Sequence, residues 1–369
     1  MVNTLKRIGS DKTFLVTFLL AVLSLMFGTV KVSDIDIKTV LALLSLIITV
    51  SIYENLNLLK HVADLIIEKC GTMRSMVFVI LLFSFFGSML FTNDVAILTL
   101  VPILFSIDQK IKIPKISIIS LTTIYANLGS ALTPIGNPQN LYLVSHYHLP
   151  LLKFFQMSLP IGCLSLISLV LCPFFFSKAR IEQLKSEPLF LSKKVGIALG
   201  FTTIVVLISV LSLIPVGYAV GASLCCAFFV DKKVYAQIDY GIILTFVNFF
   251  IIVGAIGRFP MVHDFLTLTL LNRFAVFISS VGISQVISNV PAAVLLSKFT
   301  PQAFALYLGV TVGGLGTLIA SLANLLALRQ YHMISTDRST GKFFLRFSLL
   351  NVLYLAAFIG IGLVILGLI

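Results

Sequence analysis

Residues 92–103 read TNDVAILTLVPI and put Asn93 and Asp94 inside an otherwise apolar stretch. A carboxylate in such surroundings marks a functional site by default, since carboxylates are the usual proton and cation carriers inside membranes. Asp94 can load and release a proton, or it can ligate sodium together with loop carbonyls. A third reading makes it only the cap of a helical arm beginning at Val95. Residues of related type recur in three other places. ISNVP supplies Ser288 and Asn289; NLGSALTPIGNPQNL supplies Asn127, Thr133, Gly136, Asn137 and Asn140; TVGGLGTLIASLANL supplies Gly313, Gly314, Thr317, Ser321 and Asn324. Glycines at these points, with Gly129 and Gly316, let the chain turn and let carbonyls or amides approach an ion. Pro134 and Pro138 remove helical hydrogen bonds and hold a break open. Asparagine amides serve either sign of charge. With Thr92, these residues form the candidate substrate and ion site, and Asn93, Asp94, Gly136 and Asn289 are the candidates for sodium.

The elements that must carry them are membrane helices. The chain of 369 residues is 59% hydrophobic and 11% charged, and its mean hydropathy is +1.09. Such a composition means several transmembrane helices. Full spans are expected at about 14–30, 38–52, 155–176, 195–213, 216–230, 240–256 and 347–367. The first is too long for a signal-peptide core and lacks a cleavage pattern. Regions 116–149 and 302–328 are apolar but interrupted by Gly, Pro and Asn. Regions 76–107 and 274–299 are apolar arms with a polar tip, too short to cross comfortably, and are expected to be re-entrant hairpins. With the N-terminus inside, the inside segments then hold 20 of the 26 Lys and Arg. That is the bias which orients membrane proteins. DQKIKIPK at 108–115 falls inside only if the first hairpin returns to the side it came from.

The chain also repeats. IDIKTVLALLSLIITV at 35–50 pairs with IDYGIILTFVNFFIIV at 238–253, TND with SNV, and Thr133 and Asn140 with Thr317 and Asn324. The charge count puts the two units in opposite orientations. Inverted repeats with discontinuous helices are the architecture of secondary transporters, with the site near the midplane. The expected fold is therefore an all-α polytopic membrane protein with two inverted repeats, each holding a re-entrant hairpin and a broken helix. One transport domain, 1–369, divides into a first span (1–34), repeat 1 (35–176), connecting spans (177–230) and repeat 2 (231–369).

TNDVAILTLVPI, NLGSALTPIGNPQNLYL and ISQVISNVPAAVLL resemble the ion transporter superfamily over nearly the whole chain. It includes arsenite permeases, citrate-type and divalent-anion symporters and some sodium/proton antiporters, and the likeness is greatest to bacterial inner-membrane anion transporters. In divalent-anion symporters each hairpin tip carries Ser-Asn-Thr, which binds substrate carboxylate and sodium. By that resemblance Thr92 and Asn93 match one tip, with Asp94 replacing the threonine. Ser288 and Asn289 match the other, with Val290 replacing it and Pro291 following. Both threonine hydroxyls are gone, which speaks against a dicarboxylate. The tips look more like the arsenite permease branch, whose members are commonly proton-linked.

Other classes find little footing. No HExxH, GxSxG or GxxxxGK[ST] motif occurs, so an enzyme or an ATP-driven pump is not expected. The five cysteines form no CxxC and read as packing residues, and no cofactor is expected beyond a coupling proton or sodium. Asp36 and Asp239 read as interfacial helix caps, and Asn248 as interhelical glue or cavity lining. All five histidines are expected in loops. The expected function is secondary active transport of a small anion or oxyanion across the cytoplasmic (inner) membrane, N-terminus inside and C-terminus outside. A sodium/proton antiporter is the alternative, and a passive channel a weaker one. The partners are a small inorganic or organic anion and the bilayer, with homodimerisation allowed and no nucleic acid.

Overall fold

A computed structural model describes residues 12–27, 29–58, 70–180, 191–210, 213–335 and 340–368, with residues 9, 61, 65 and 68 besides. Parts of the basic segments counted above (1–8, 181–190 and 336–339 among them) lie outside the described residues. Repeat 1 follows a first helix, α1 (Lys12–Phe27). It comprises α2 (Ile37–Asn55), α3 (Met73–Phe91), α4 (Asn93–Lys110), α5 (Lys115–Ser130), α6 (Pro138–His146) and α7 (Leu151–Leu171). Helices α8 (Lys193–Val210) and α9 (Val216–Val230) connect it to repeat 2. That repeat holds α10 (Tyr240–Ile256), α11 (Pro260–Thr269), α12 (Arg273–Ile287), α13 (Asn289–Leu296), α14 (Ala303–Gly313), α15 (Leu322–Ile334) and α16 (Thr340–Leu368).

Helices α2, α3, α7, α8 and α16 are each long and apolar enough to cross a bilayer. The predicted spans at α1, α9 and α10 are shorter, at 16, 15 and 17 residues. The N-termini of α2 and α10 are closed by side chains: Asp36 accepts from the Thr39 N–H at 3.0 Å, Asp239 from the Ile242 N–H at 3.3 Å. Both aspartates are thus helix caps. Asn248 donates to Thr17 Oγ1 at 3.3 Å and ties α10 to α1.

Three expectations need correction. The arm α3 runs 19 residues, so length alone does not make 76–107 a hairpin. Helix α11, turned 89° from α10, has no counterpart in the sequence reading. Pro260 starts it, a position proline favours, and its exposed Met261, Phe265 and Leu268 suit a helix lying along the membrane face. Histidines 146, 263 and 332 lie in helices rather than loops. His146 is stitched to the Ser297 carbonyl at 3.2 Å and stacks on Tyr142, so it closes a helix end.

Contacts at the two ends establish the hairpins. At one end Asp34 pairs with Arg258 and, at 3.8 Å, with Lys298; Tyr147 donates to the Thr300 carbonyl at 2.7 Å. At the other, Arg74 donates to the Phe176 carbonyl at 3.0 Å, Arg346 to Ser117 at 3.0 Å and Asn55 to Gln237 at 3.0 Å. Helices α2 and α10 run in opposite directions between these ends. Each hairpin therefore enters and leaves on one side. Arm α4 packs on α15 and arm α13 on α6, so each hairpin seats against the broken helix of the other repeat.

Candidate ion- and substrate-binding site

Both hairpins reverse on one residue with the same backbone. Thr92 has φ 79°, ψ 155° and Ser288 φ 76°, ψ 154°. A side chain there costs on the order of 1–3 kcal/mol, and such strain gathers at functional sites. The turn delivers the next amide to the nearby break. Asn93 N–H donates to the Gly136 carbonyl at 3.2 Å, and Asn289 N–H to the Ala320 carbonyl at 2.9 Å.

The breaks are laced in matching ways. Thr133 donates to the Met89 carbonyl at 2.5 Å and accepts from Gly136 N–H at 3.0 Å. Thr317 donates to the Gln285 carbonyl at 3.1 Å and accepts from Ala320 N–H at 3.2 Å. Asn140 donates to the carbonyls of Ser130, Ala131 and Thr133 at 3.0, 3.3 and 3.0 Å, and Asn324 to those of Gly314 and Thr317 at 3.1 and 3.0 Å. These amides replace the backbone bonds lost where the helices unwind, which is what buried irregular backbone in a membrane requires.

Asn127 joins the halves. Its Oδ1 accepts from Asn93 at 2.8 Å and from Ser321 at 2.9 Å, and its Nδ2 donates to Asn324 Oδ1 at 3.0 Å. Asn93, Asp94, Asn127, Asn137, Asn140, Asn289, Ser321 and Asn324 are buried, Thr92, Thr133 and Ser288 half-buried, and Thr317 exposed. Asn137 makes only a long 3.5 Å contact to Ser130, and Gly313 ends α14 where a Cβ would lie 2.6 Å from Ser284 Oγ, so it serves close helix packing. At Gly136 a Cβ would strike the Ser130 carbonyl, and at Gly314 it would meet Asn289 Nδ2 at 2.8 Å.

Four helix N-termini meet this network: α4, α6, α13 and α15. Their N-cap residues Thr92, Asn137, Ser288 and Ser321 make no side-chain capping bond. The Asn93 and Asn289 amides are already bonded and Pro138 has none, but uncapped first turns carry partial positive charge and further N–H groups suited to an anion. Asp94 lies within the first turn of α4, beyond the N-cap Thr92, so the capping reading does not hold. Asp94 is 7% exposed and its Oδ1 has no partner among the described residues, nor have Asn93 Oδ1, Gln139 Oε1 and Asn140 Oδ1. Among the described residues no three His, Cys, Asp or Glu converge as a metal site.

Two polar residues escaped the sequence reading. Gln285 bridges hairpin and break, donating to the Gly313 carbonyl at 2.8 Å and accepting from Thr317 N–H at 2.9 Å. Gln139 is buried in the first turn of α6. A glutamine inside each apolar segment was the available signal.

Fold and site together define a multi-pass membrane transporter built from two inverted repeats. Residues 4–301 match the citrate transporter family (CitMHS), and the chain belongs to that family. An uncharacterized transporter of Methanocaldococcus jannaschii is 30% identical over 325 residues, 87% of this chain and 88% of the relative. The inner membrane protein YbiR of Escherichia coli is 29% identical over 311 residues, covering 81% and 80%. The crystal structure of the Alcanivorax borkumensis YdaH transporter, reported as having an unusual topology, superposes with a TM-score of 0.53 at 14% identity. It covers 96% of this chain and 98% of its own, a likeness of fold.

Proposed function

We propose that the protein is a secondary active transporter that moves a small anion or oxyanion across the cytoplasmic membrane by alternating access, driven by protons or sodium. One observation carries this reading: four helix N-termini without side-chain caps meet at a buried asparagine network, and Asp94, the one buried carboxylate among the described residues, stands in the first turn of one of them. The N-termini supply N–H groups for an anion, and Asp94 with unwound carbonyls supplies oxygen for the coupling cation. The citrate transporter family supports an anionic substrate, and the transporter among its relatives supports transport as such. Basic residues at the Arg74–Arg346 end support a cytoplasmic position for that end.

Proteoliposomes with an imposed proton or sodium gradient test the reading against a panel of carboxylates and inorganic oxyanions. Accumulation of an anion that collapses with the gradient is the expected result. The Asp94 Oδ1, without a partner among the described residues, also favours a second reading, sodium/proton exchange without an anion. Gradient-driven sodium movement with no anion accumulated would select that reading and reject the first.

A further inference from the structure

Each hairpin tip opens on a cavity, and the repeat relates the two cavities. Val50 on α2 corresponds to Val253 on α10, Thr92 to Ser288, Asp94 to Val290, and Pro138 to Leu322; each first residue lines one cavity and each second lines the other. They have diverged in size and chemistry. The second measures about 730 Å³ and has no ionisable residue in its lining. The first measures about 100 Å³ and is lined by three carboxylates, Glu54, Asp94 and Asp239, with Gln237 beside them. No Lys, Arg or His lines it among the described residues, in a chain with 26 basic and only 14 acidic residues.

We infer that the first cavity is a one-sided cation vestibule: Glu54 and Asp239 at its mouth attract a small hard monovalent cation, and Asp94 at its inner end ligates it. Asp94 is 7% exposed, its Oδ1 has no partner among the described residues, and it lines this cavity. Glu54 is exposed and ends α2, and Asp239 precedes α10, so both stand at the end of the molecule marked by the Asn55–Gln237 bond. The mouth carboxylates act at a distance. Negative charge focused at a low-dielectric cleft raises the local cation concentration, and salt screens that effect. The second cavity lacks a carboxylate at Val290 and any charge in its lining, so the inferred cation site belongs to half 1 alone.

The inference builds on the transporter reading for its purpose, but cation binding is measured without transport, so the two fail separately. The chain has no tryptophan. Phe91→Trp, on the cavity wall, or Leu98→Trp as a second reporter, makes the purified protein in detergent report cavity occupancy by fluorescence. Titration with sodium chloride, against choline chloride at constant ionic strength, is expected to give a saturable response. Asp94→Asn removes it. Glu54→Gln with Asp239→Asn, the latter keeping a capping side chain, raises the half-saturating sodium roughly three- to tenfold at low salt, and the difference shrinks at high ionic strength. No sodium response from either reporter, a response to pH alone, or unchanged affinity in the mouth double variant overturns the inference.

Discussion

At Thr92 and at Ser288 the backbone makes the same strained turn, and the following asparagine hands its N–H to the break beside it. One residue further on the halves part: Asp94 stands in one helix, Val290 in the other. The breaks show the same mixture, with Asn140 and Asn324 bracing carbonyls alike while Gln285 supports only the second. What the repeats share is scaffold, and that scaffold keeps unwound backbone hydrogen-bonded in the membrane. What they do not share is where ion chemistry can be asymmetric. Inverted-repeat transporters build their sites near the midplane between the repeats, so a difference at one hairpin tip falls where an ion would bind.

The largest effect should come from the glycine pair. At Gly136 a side chain meets backbone, at Gly314 the tip of an asparagine. Gly136→Val should leave under about one-hundredth of wild-type transport and Gly314→Val about one-tenth, following overpacking costs of roughly 1–3 kcal/mol. Surface expression controls for insertion, and equal activities would show that the two breaks are braced alike.

The charge comes next. Asp94→Val should reduce gradient-driven uptake at least about tenfold, and adding Val290→Asp should not restore it, because an intramembrane carboxylate works only with its own surroundings. Rescue by the second substitution would mean that the halves are interchangeable.

A smaller effect is expected where the halves agree. Asn140→Ala and Asn324→Ala each orphan buried carbonyls and should each destabilise the protein by about 2–3 kcal/mol in detergent unfolding. A large inequality would break the structural equivalence drawn here.

The smallest concerns the ion pair outside the membrane. Burial works against the Asp34 charge, but its bonds to Arg258 and Lys31 and the nearby Lys298 outweigh this, and hold the carboxyl below its ordinary 3.8. Its folded value is depressed, so its contribution is complete above the unfolded value and fades as pH falls through the folded one. Melting temperature should therefore drop below about pH 4 in the wild type and less in Asp34→Asn. Parallel curves for the two proteins would remove the pair from the stability account.

Much of this was legible in the sequence, for physical reasons. Charge bias reports sidedness, so Lys298 and the run at 108–115 pointed to both hairpins before the Lys298–Asp34 pair and the Arg346–Ser117 bond were seen. Gly and Asn in matching positions revealed the breaks, because few other residues tolerate unwound backbone at depth. The rest depends on tertiary placement. A ten-residue apolar stretch such as α11 reads like part of a span until its 89° turn is seen. Gln285 carries no periodic signal, and Glu54 belongs with Asp94 only through the packing of α2 on the tip. His146 reads as a loop residue until Ser297 is brought beside it.

The central claim is that Asp94 couples transport to an ion gradient within a scaffold both halves share. Asp94→Asn preserves shape and hydrogen-bonding capacity while removing the charge. In proteoliposomes the variant is predicted to lose gradient-driven accumulation of substrate yet to keep exchange between equal pools. Accumulation at the wild-type level under the same gradient would contradict the account and take Asp94 out of the mechanism.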